Sequence, residues 1–184
     1  MNHPEIILRT LDRHLTQPTR MILYGRAALA LGFPVPEPAF AATFDVDAIL
    51  PRVEMDAIEM DDQFWIALES TNRELEPGGL YITHLFRDDQ VVLSPSWLEH
   101  VVPIPLTGLR HLSILRPSVG DLVLTKMMRV DPQDRADILF LLSQIPSASS
   151  SIPATLDAAI IPVIPEIQAA FDENKRWILS LLAK

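Results

Sequence analysis

Cysteine is absent from the chain, which removes disulfides, thiolate metal sites and cysteine nucleophiles together and makes the cytoplasm the expected compartment. No uninterrupted apolar run reaches the ~18 residues that a membrane span needs. Residues 1–10 carry no basic region followed by an apolar stretch, so no export signal is expected. Basic residues are also scarce: 15 Lys and Arg face 24 Asp and Glu, for a formal net charge of −9. Attraction to phosphate backbones must therefore come from a local patch, because the whole-chain field opposes it. Glycine is limited to six residues, and most of the punctuation falls to 16 prolines. Apolar residues are plentiful at 48% of 184, enough for a real core and too many for disorder as the bulk state.

Between the prolines, apolar spacing predicts a series of elements. Ile6, Leu8, Leu11 and Leu15 mark an amphipathic helix over 5–15, followed by a strand over 20–24. An Ala-rich helix over 25–31 is expected to close at Gly32 in a left-handed cap. A second strand over 43–50 leads to a helix from Pro51 to about Asn72, with Met55, Ile58, Phe64, Trp65 and Leu68 as its apolar stripe. The runs 80–86 and 90–93 are expected to form a hairpin around Arg87, Asp88 and Asp89, and 109–115 a further strand. From Pro117 only helical signals follow: 119–129, 132–144, a Ser-rich break at 147–151, then two more helices. The expected organisation is an α/β core over 1–116 and a helical C-terminal extension over 117–184.

Two stretches carry the most chemical information, Leu23-Tyr24-Gly25-Arg26-Ala27-Ala28-Leu29 and Thr43-Phe44-Asp45-Val46-Asp47-Ala48-Ile49. Asp45 and Asp47, separated by one strand residue, project from the same face, because side chains alternate with period two. Such a pair repels itself unless a cation intervenes, and Mg²⁺ favours one or two carboxylates together with water and phosphate oxygens. A glycine turn entering a helix nearby offers backbone N–H groups to phosphate. An isolated Asp-x-Asp has a bland reading as strand-end acids. Here apolar neighbours on both sides indicate a buried strand, which leaves the two acids to be explained.

This order of strand, glycine, short Ala/Leu helix and Thr-x-Asp-x-Asp resembles the nucleotidyltransferase superfamily, specifically AbiEii-like and related uncharacterised bacterial nucleotidyltransferase-like proteins. The downstream stretch Pro117-Ser118-Val119-Gly120-Asp121-Leu122-Val123-Leu124-Thr125-Lys126, then Arg129 and Asp134-Arg135-Ala136-Asp137-Ile138, extends the resemblance over roughly residues 20–145. The resemblance implies an α/β (α+β) fold, a small mixed sheet flanked by helices with a helical C-terminal part. It also implies Mg²⁺-dependent transfer of a nucleotidyl group from a nucleoside triphosphate to a protein, small-molecule or RNA acceptor. By the same resemblance Asp45 and Asp47 hold the metal, Lys126 meets the triphosphate, Asp137 supplies a further acid, and Gly25 shapes the phosphate turn. Arg26 stands where the family usually has Gly or Ser; it either blocks the triphosphate or pairs with it.

Structural readings compete at several of these positions. Asp137 shares a helix face with Ile138, Leu141 and Leu142, so a salt bridge to Lys126 or Arg129 would account for it. Asp134 fits the far end of a capping box begun by Asp131, and Asp121 fits a first-turn acid behind a Ser118 cap. No histidine pair has metal-ligand spacing; His84 and His111 are the two placed in predicted strands from which the acidic pair can be approached. An RNA acceptor requires Arg9, Arg13, Arg20 and Arg26 to gather near the acids. Two alternatives to catalysis stand beside the leading one: an inactive binding or regulatory module, for instance half of a toxin–antitoxin pair, and a homo-oligomeric scaffold packed through 160–182.

Overall fold

The computed structural model describes residues 2–146 and 148–183, which form two compact units. The first comprises 1–87 and 101–116; the second comprises 88–100 and 117–184. The first unit opens with α1 (His3–His14), capped by the Asn2 side chain on the Glu5 N–H, with Pro4 in its first turn. Ile7, Leu8 and Leu11 are fully buried along its inner stripe. Then follow β1 (Thr19–Tyr24), α2 (Gly25–Leu31), α3 (Pro38–Ala41) and β2 (Asp45–Leu50). The unit continues with α4 (Met55–Glu59), α5 (Asp62–Leu75), β3 (Tyr81–Arg87), β4 (Val102–Pro103) and β5 (Leu112–Arg116).

The five strands make one mixed sheet in the order β3-β2-β1-β5-β4. β1 lies at its centre, antiparallel to β2 and parallel to β5. α1, α2 and α5 pack against the strands, and Leu23, Val46 and Ala48 are fully buried. The expected mixed sheet with flanking helices is therefore present.

Several local expectations are corrected. Pro51 lies in extended backbone and the helix after it is broken: a 3₁₀ turn at Arg52–Glu54 and α4 are followed by a fresh start at Asp61, whose carboxylate caps the Phe64 N–H. The buried stripe of α5 is Phe64, Ala67, Thr71 and Leu75; Trp65 is half-exposed, with its indole N–H donating to the Ile58 carbonyl. No hairpin joins 80–86 to 90–93. β3 pairs in parallel with β2, a 3₁₀ turn follows at Asp88–Gln90, and Val91, Val92 and Leu93 are buried as part of the second unit, where Leu93 forms a bridge with Ile160. Their apolarity reflects burial rather than pairing with the preceding run.

Gly32 is not left-handed; its φ is −92°. A side chain is excluded there by space, since a Cβ would lie 2.4 Å from Arg116 Cδ and 2.6 Å from the Ala28 carbonyl oxygen. Arg116, whose guanidinium donates to the Gly32 carbonyl and lies over the Phe33 ring, occupies that space.

The second unit contains α6 (Val119–Thr125), α7 (Pro132–Ser143), α8 (Ala148–Ala158) and α9 (Pro165–Leu182). α6 is shorter than expected, giving way to a 3₁₀ turn at Lys126–Met128. Of the expected Ser-rich break, Ser147 lies outside the described residues, while 148–151 open α8. Asp121 behaves as anticipated behind its Ser118 cap, and its carboxylate also accepts the Ser94 N–H. Asp131 caps α7 on the Gln133 and Asp134 N–H groups.

Asp134 does not complete a capping box. Its carboxylate, 3% exposed, accepts from Lys126 Nζ at 3.0 Å and pairs with Arg129. Burial raises the Asp134 carboxyl, but the two cations outweigh burial and hold it below its ordinary value. Lys126 Nζ also donates to Asp137 at 2.6 Å, with Asp137 fully buried. Asn174 adds a second polar tie, donating to the Met127 and Arg129 carbonyls from α9.

In the first unit Asp12 has a comparable role. Its 6% exposed carboxylate accepts the backbone N–H groups of Arg110, His111 and Leu112 at 2.8–3.0 Å, fixing the loop that enters β5. Burial raises the Asp12 carboxyl, and the three backbone donors more than reverse that, leaving it below its ordinary value. A carboxyl lowered on folding contributes fully above its unfolded value and loses that contribution as pH falls through the folded one. Asp12→Ala is expected to cost about 3 kcal/mol at pH 7 by stranding buried donors, with the gap to the unchanged protein narrowing below about pH 4; urea unfolding of both across pH measures it. Lys126→Met removes the lysine from buried Asp137 and leaves Asp134 with Arg129 alone; it is expected to cost about 3–5 kcal/mol, read from the same unfolding curves.

Candidate functional site

Asp45 and Asp47 are the first and third residues of β2 and lie half-buried on one face, while Val46 between them is fully buried on the other. The antiparallel register sets Asp47 opposite Tyr24, the last residue of β1. Gly25 therefore follows directly beside the acid. Its φ is +66°, in the left-handed region that glycine adopts without strain. A Cβ at this position would come within 3.4 Å of Asp47 Oδ2; glycine leaves that space open.

Each carboxylate is held through one oxygen. Thr43 Oγ1 donates to Asp45 Oδ1 at 2.8 Å, and Thr83 Oγ1 donates to Asp47 Oδ1 at 2.7 Å. His84 Nδ1 lies 3.4 Å from that same Asp47 oxygen. Thr83 and His84 both reach Asp47 because β3 carries a bulge: Val46 faces Ile82 whereas Ala48 faces Leu85. The extra residue turns two consecutive side chains toward one partner. His84 then stacks on Phe86 at 5.1 Å, and Phe86 meets Tyr24 edge-on at 5.8 Å.

Burial pushes the Asp47 carboxyl up; the Thr83 hydroxyl pulls it down, the Asp45 charge pushes it up, and His84 pulls it down, for a net rise above the ordinary carboxylate value. The ionised pair is thus under electrostatic stress that a cation would relieve. Oδ2 of each acid accepts no hydrogen bond from the described residues. These are hard oxygen donors, as Mg²⁺ requires, and two carboxylates suit an ion that keeps several water or phosphate ligands. Among the described residues no group of three or more His, Asp or Glu side chains is placed to hold a metal.

Of the residues singled out from sequence, Gly25, Asp45 and Asp47 come together in the first unit. Arg26 follows Gly25 with its guanidinium 5.6 Å from the centre of the Phe40 ring. Lys126 and Asp137 lie in the second unit, joined to each other and to Asp134. His84 reaches the acids, whereas His111 lies at the opposite end of β1, where Thr19 pairs with Leu112. The four arginines do not gather at the acidic pair: Arg9 pairs with Glu5, Arg13 with Glu74 and Arg20 with Glu54, and Arg26 lies over Phe40. The roles of Thr43, Thr83 and Asp134 escaped sequence reasoning. Thr43 was accessible in principle, since it sits two residues before Asp45 on the same alternation. Thr83 depends on a bulge that no local pattern announces.

Among the described residues no helix is long and apolar enough to cross a membrane. No curated protein and no solved structure matches the chain. Residues 6–144 match the family described as a nucleotidyltransferase of unknown function, DUF6036, a span that contains the glycine turn, both strand acids and the Lys126 cluster. A match over this much of the sequence places the chain in that nucleotidyltransferase family.

Proposed function

We propose that the protein transfers a nucleotidyl group from a nucleoside triphosphate to an acceptor, with Mg²⁺ held by Asp45 and Asp47. One observation carries the reading: two half-buried carboxylates share a strand face, each braced by a threonine through one oxygen and each retaining the other. When bound, Mg²⁺ would neutralise triphosphate charge and polarise the reacting phosphoryl group. The protein's own part is positioning. Thr43 and Thr83 fix the carboxylate rotamers, and Gly25 keeps the space beside Asp47 clear for a phosphate-bearing group. Arg26, one residue on and lying over Phe40, is the cation that a bound triphosphate would draw in, since its planar fork suits phosphate oxygens.

Lys126 and Asp137 enter this proposal as the ion cluster that holds α6 and α7 in register within their own unit. Family membership supports the reaction class. The finer assignments, kinship with AbiEii-like proteins and action as a toxin–antitoxin component with an antitoxin as partner, extend the proposal and rest on the sequence resemblance alone.

Thermal unfolding with each nucleoside triphosphate, with and without Mg²⁺, tests the reading. At about one hundred times its dissociation constant a ligand stabilises the native state by roughly 2.7 kcal/mol. The expected result is a Mg²⁺-dependent rise in melting temperature that disappears in Asp45→Asn/Asp47→Asn. A folded protein that shifts with no nucleotide would instead favour the inactive binding module. A second expectation concerns the metal-free state. Because the Asp47 carboxyl is raised on folding, its charge costs stability as pH rises above its unfolded value. Asp47→Asn should therefore melt at a higher temperature than the unchanged protein at pH 7–8 in EDTA, the advantage fading toward about pH 4; calorimetry across that range checks it.

A further inference from the structure

A cavity lies in the first unit, at the opposite end of β1 from the acidic pair. It encloses about 490 Å³ and is lined by Arg9, Asp12, Arg13, Arg110 and His111 with the Gly108–Leu109 turn. β1 spans five residue steps between its pairing with Leu112 and its pairing with Asp47, so roughly 16 Å separates the two ends.

Three arginines line this cavity in a chain whose overall charge is strongly negative. Arg9 and Arg13 sit one turn apart on α1 and are each anchored by a carboxylate that does not line the cavity. Arg9 uses Nε and Nη2 on Glu5, leaving Nη1 beside the turn, 3.5 Å from where a Gly108 Cβ would lie. Arg13 uses Nη2 on Glu74 and Thr10, which leaves its Nε and Nη1 donors unspent. Arg110 is exposed, and its guanidinium has no ion pair among the described residues.

The one acid in the lining, Asp12, is engaged by three backbone N–H groups. Those bonds also fix the backbone that presents Arg110 and His111. Gly108, at φ +82°, supplies the left-handed turn that lets the loop approach α1. Glu5 and Glu74 lower the local charge, but they also hold two forks in place, so less side-chain entropy is lost when an anion arrives.

We infer that this cavity binds a small phosphate-bearing compound through Arg9, Arg13 and Arg110. Unspent guanidinium donors match phosphate oxygens, and the volume is that of a small-molecule site. A polynucleotide would meet the repulsion of the whole acidic chain. The inference is independent of the reaction proposed for Asp45 and Asp47.

Calorimetric titration of the full chain with sodium pyrophosphate, at low salt and without divalent metal, tests it. One pyrophosphate should bind per chain, with affinity falling about tenfold or more in Arg110→Ala, as expected for loss of a charged hydrogen bond. Arg110 lends itself to this because its side chain is exposed and its backbone N–H bond to Asp12 survives the change. Asp45→Asn/Asp47→Asn should bind pyrophosphate as the unchanged protein does. Absence of binding at millimolar pyrophosphate, equal binding by Arg110→Ala, or loss of binding in the strand-acid variant would each overturn the assignment. A single-stranded oligonucleotide that binds more tightly than pyrophosphate and depends on Arg110 would overturn the small-ligand reading in favour of a polynucleotide.

Discussion

The antiparallel pairing of β1 with β2 is the constraint on which the candidate site depends. Because Tyr24 faces Asp47, the residue that leaves β1 must turn away immediately beside a carboxylate. Glycine satisfies the demand of that place, a positive φ, and leaves no Cβ in contact with Asp47 Oδ2. The same register commits Asp45 and Asp47 to one face, and β3, paired in parallel on the outer side, then adds Thr83 and His84 through its bulge. Three strands and one turn thus build a polar site around an otherwise apolar strand, at the cost of a carboxyl whose ionised form the fold disfavours.

Where a sequence pattern had a single local cause, it was legible. The 3.6-residue spacing gave α1 to within two residues at its start and one at its end, and Asp131-Pro132 marked the start of α7 correctly. Asp45 and Asp47 could be placed on one strand face by alternation alone. Patterns with two causes were misread. Val91 to Leu93 look like a strand of the sheet but are apolar because they are buried in the second unit. Gly32 looks like a helix cap but is there because Arg116, more than eighty residues later, needs the space. The β3 bulge, the Lys126–Asp134–Asp137 cluster and the contacts of Asp12 with the loop before β5 all join residues through tertiary placement, which carries no signature in composition or periodicity.

The first unit is electrically polarised along β1. One end presents two carboxylates braced by threonine hydroxyls; the other presents arginines, two of them held by carboxylates of their own. Bulk charge of −9 conceals this arrangement. Two acids in the same unit differ in condition: Asp12, holding backbone N–H groups, is lowered, whereas Asp47, raised by burial and further by Asp45, lies above its ordinary value. Burial raises both carboxyls; what separates them is the set of donors that opposes it, three backbone N–H groups at Asp12 against one hydroxyl and a histidine at Asp47.

Residues 88–100 belong with the helices although the sheet unit precedes and follows them in sequence. The chain therefore crosses between the two units three times, and no single cut separates them. A fragment ending at 116 would carry an orphaned apolar segment, and one beginning at 117 would lack Val91, Val92 and Trp97 from its interior. Because that segment is tethered at both ends to strands, assembling the helical unit closes a short loop whose ends are already fixed wherever β3 and β4 have formed, which lessens the entropy of closure. Such interleaving favours cooperative unfolding of the whole chain, and it makes the strand-forming residues on either side of 88–100 determinants of the helical unit's stability.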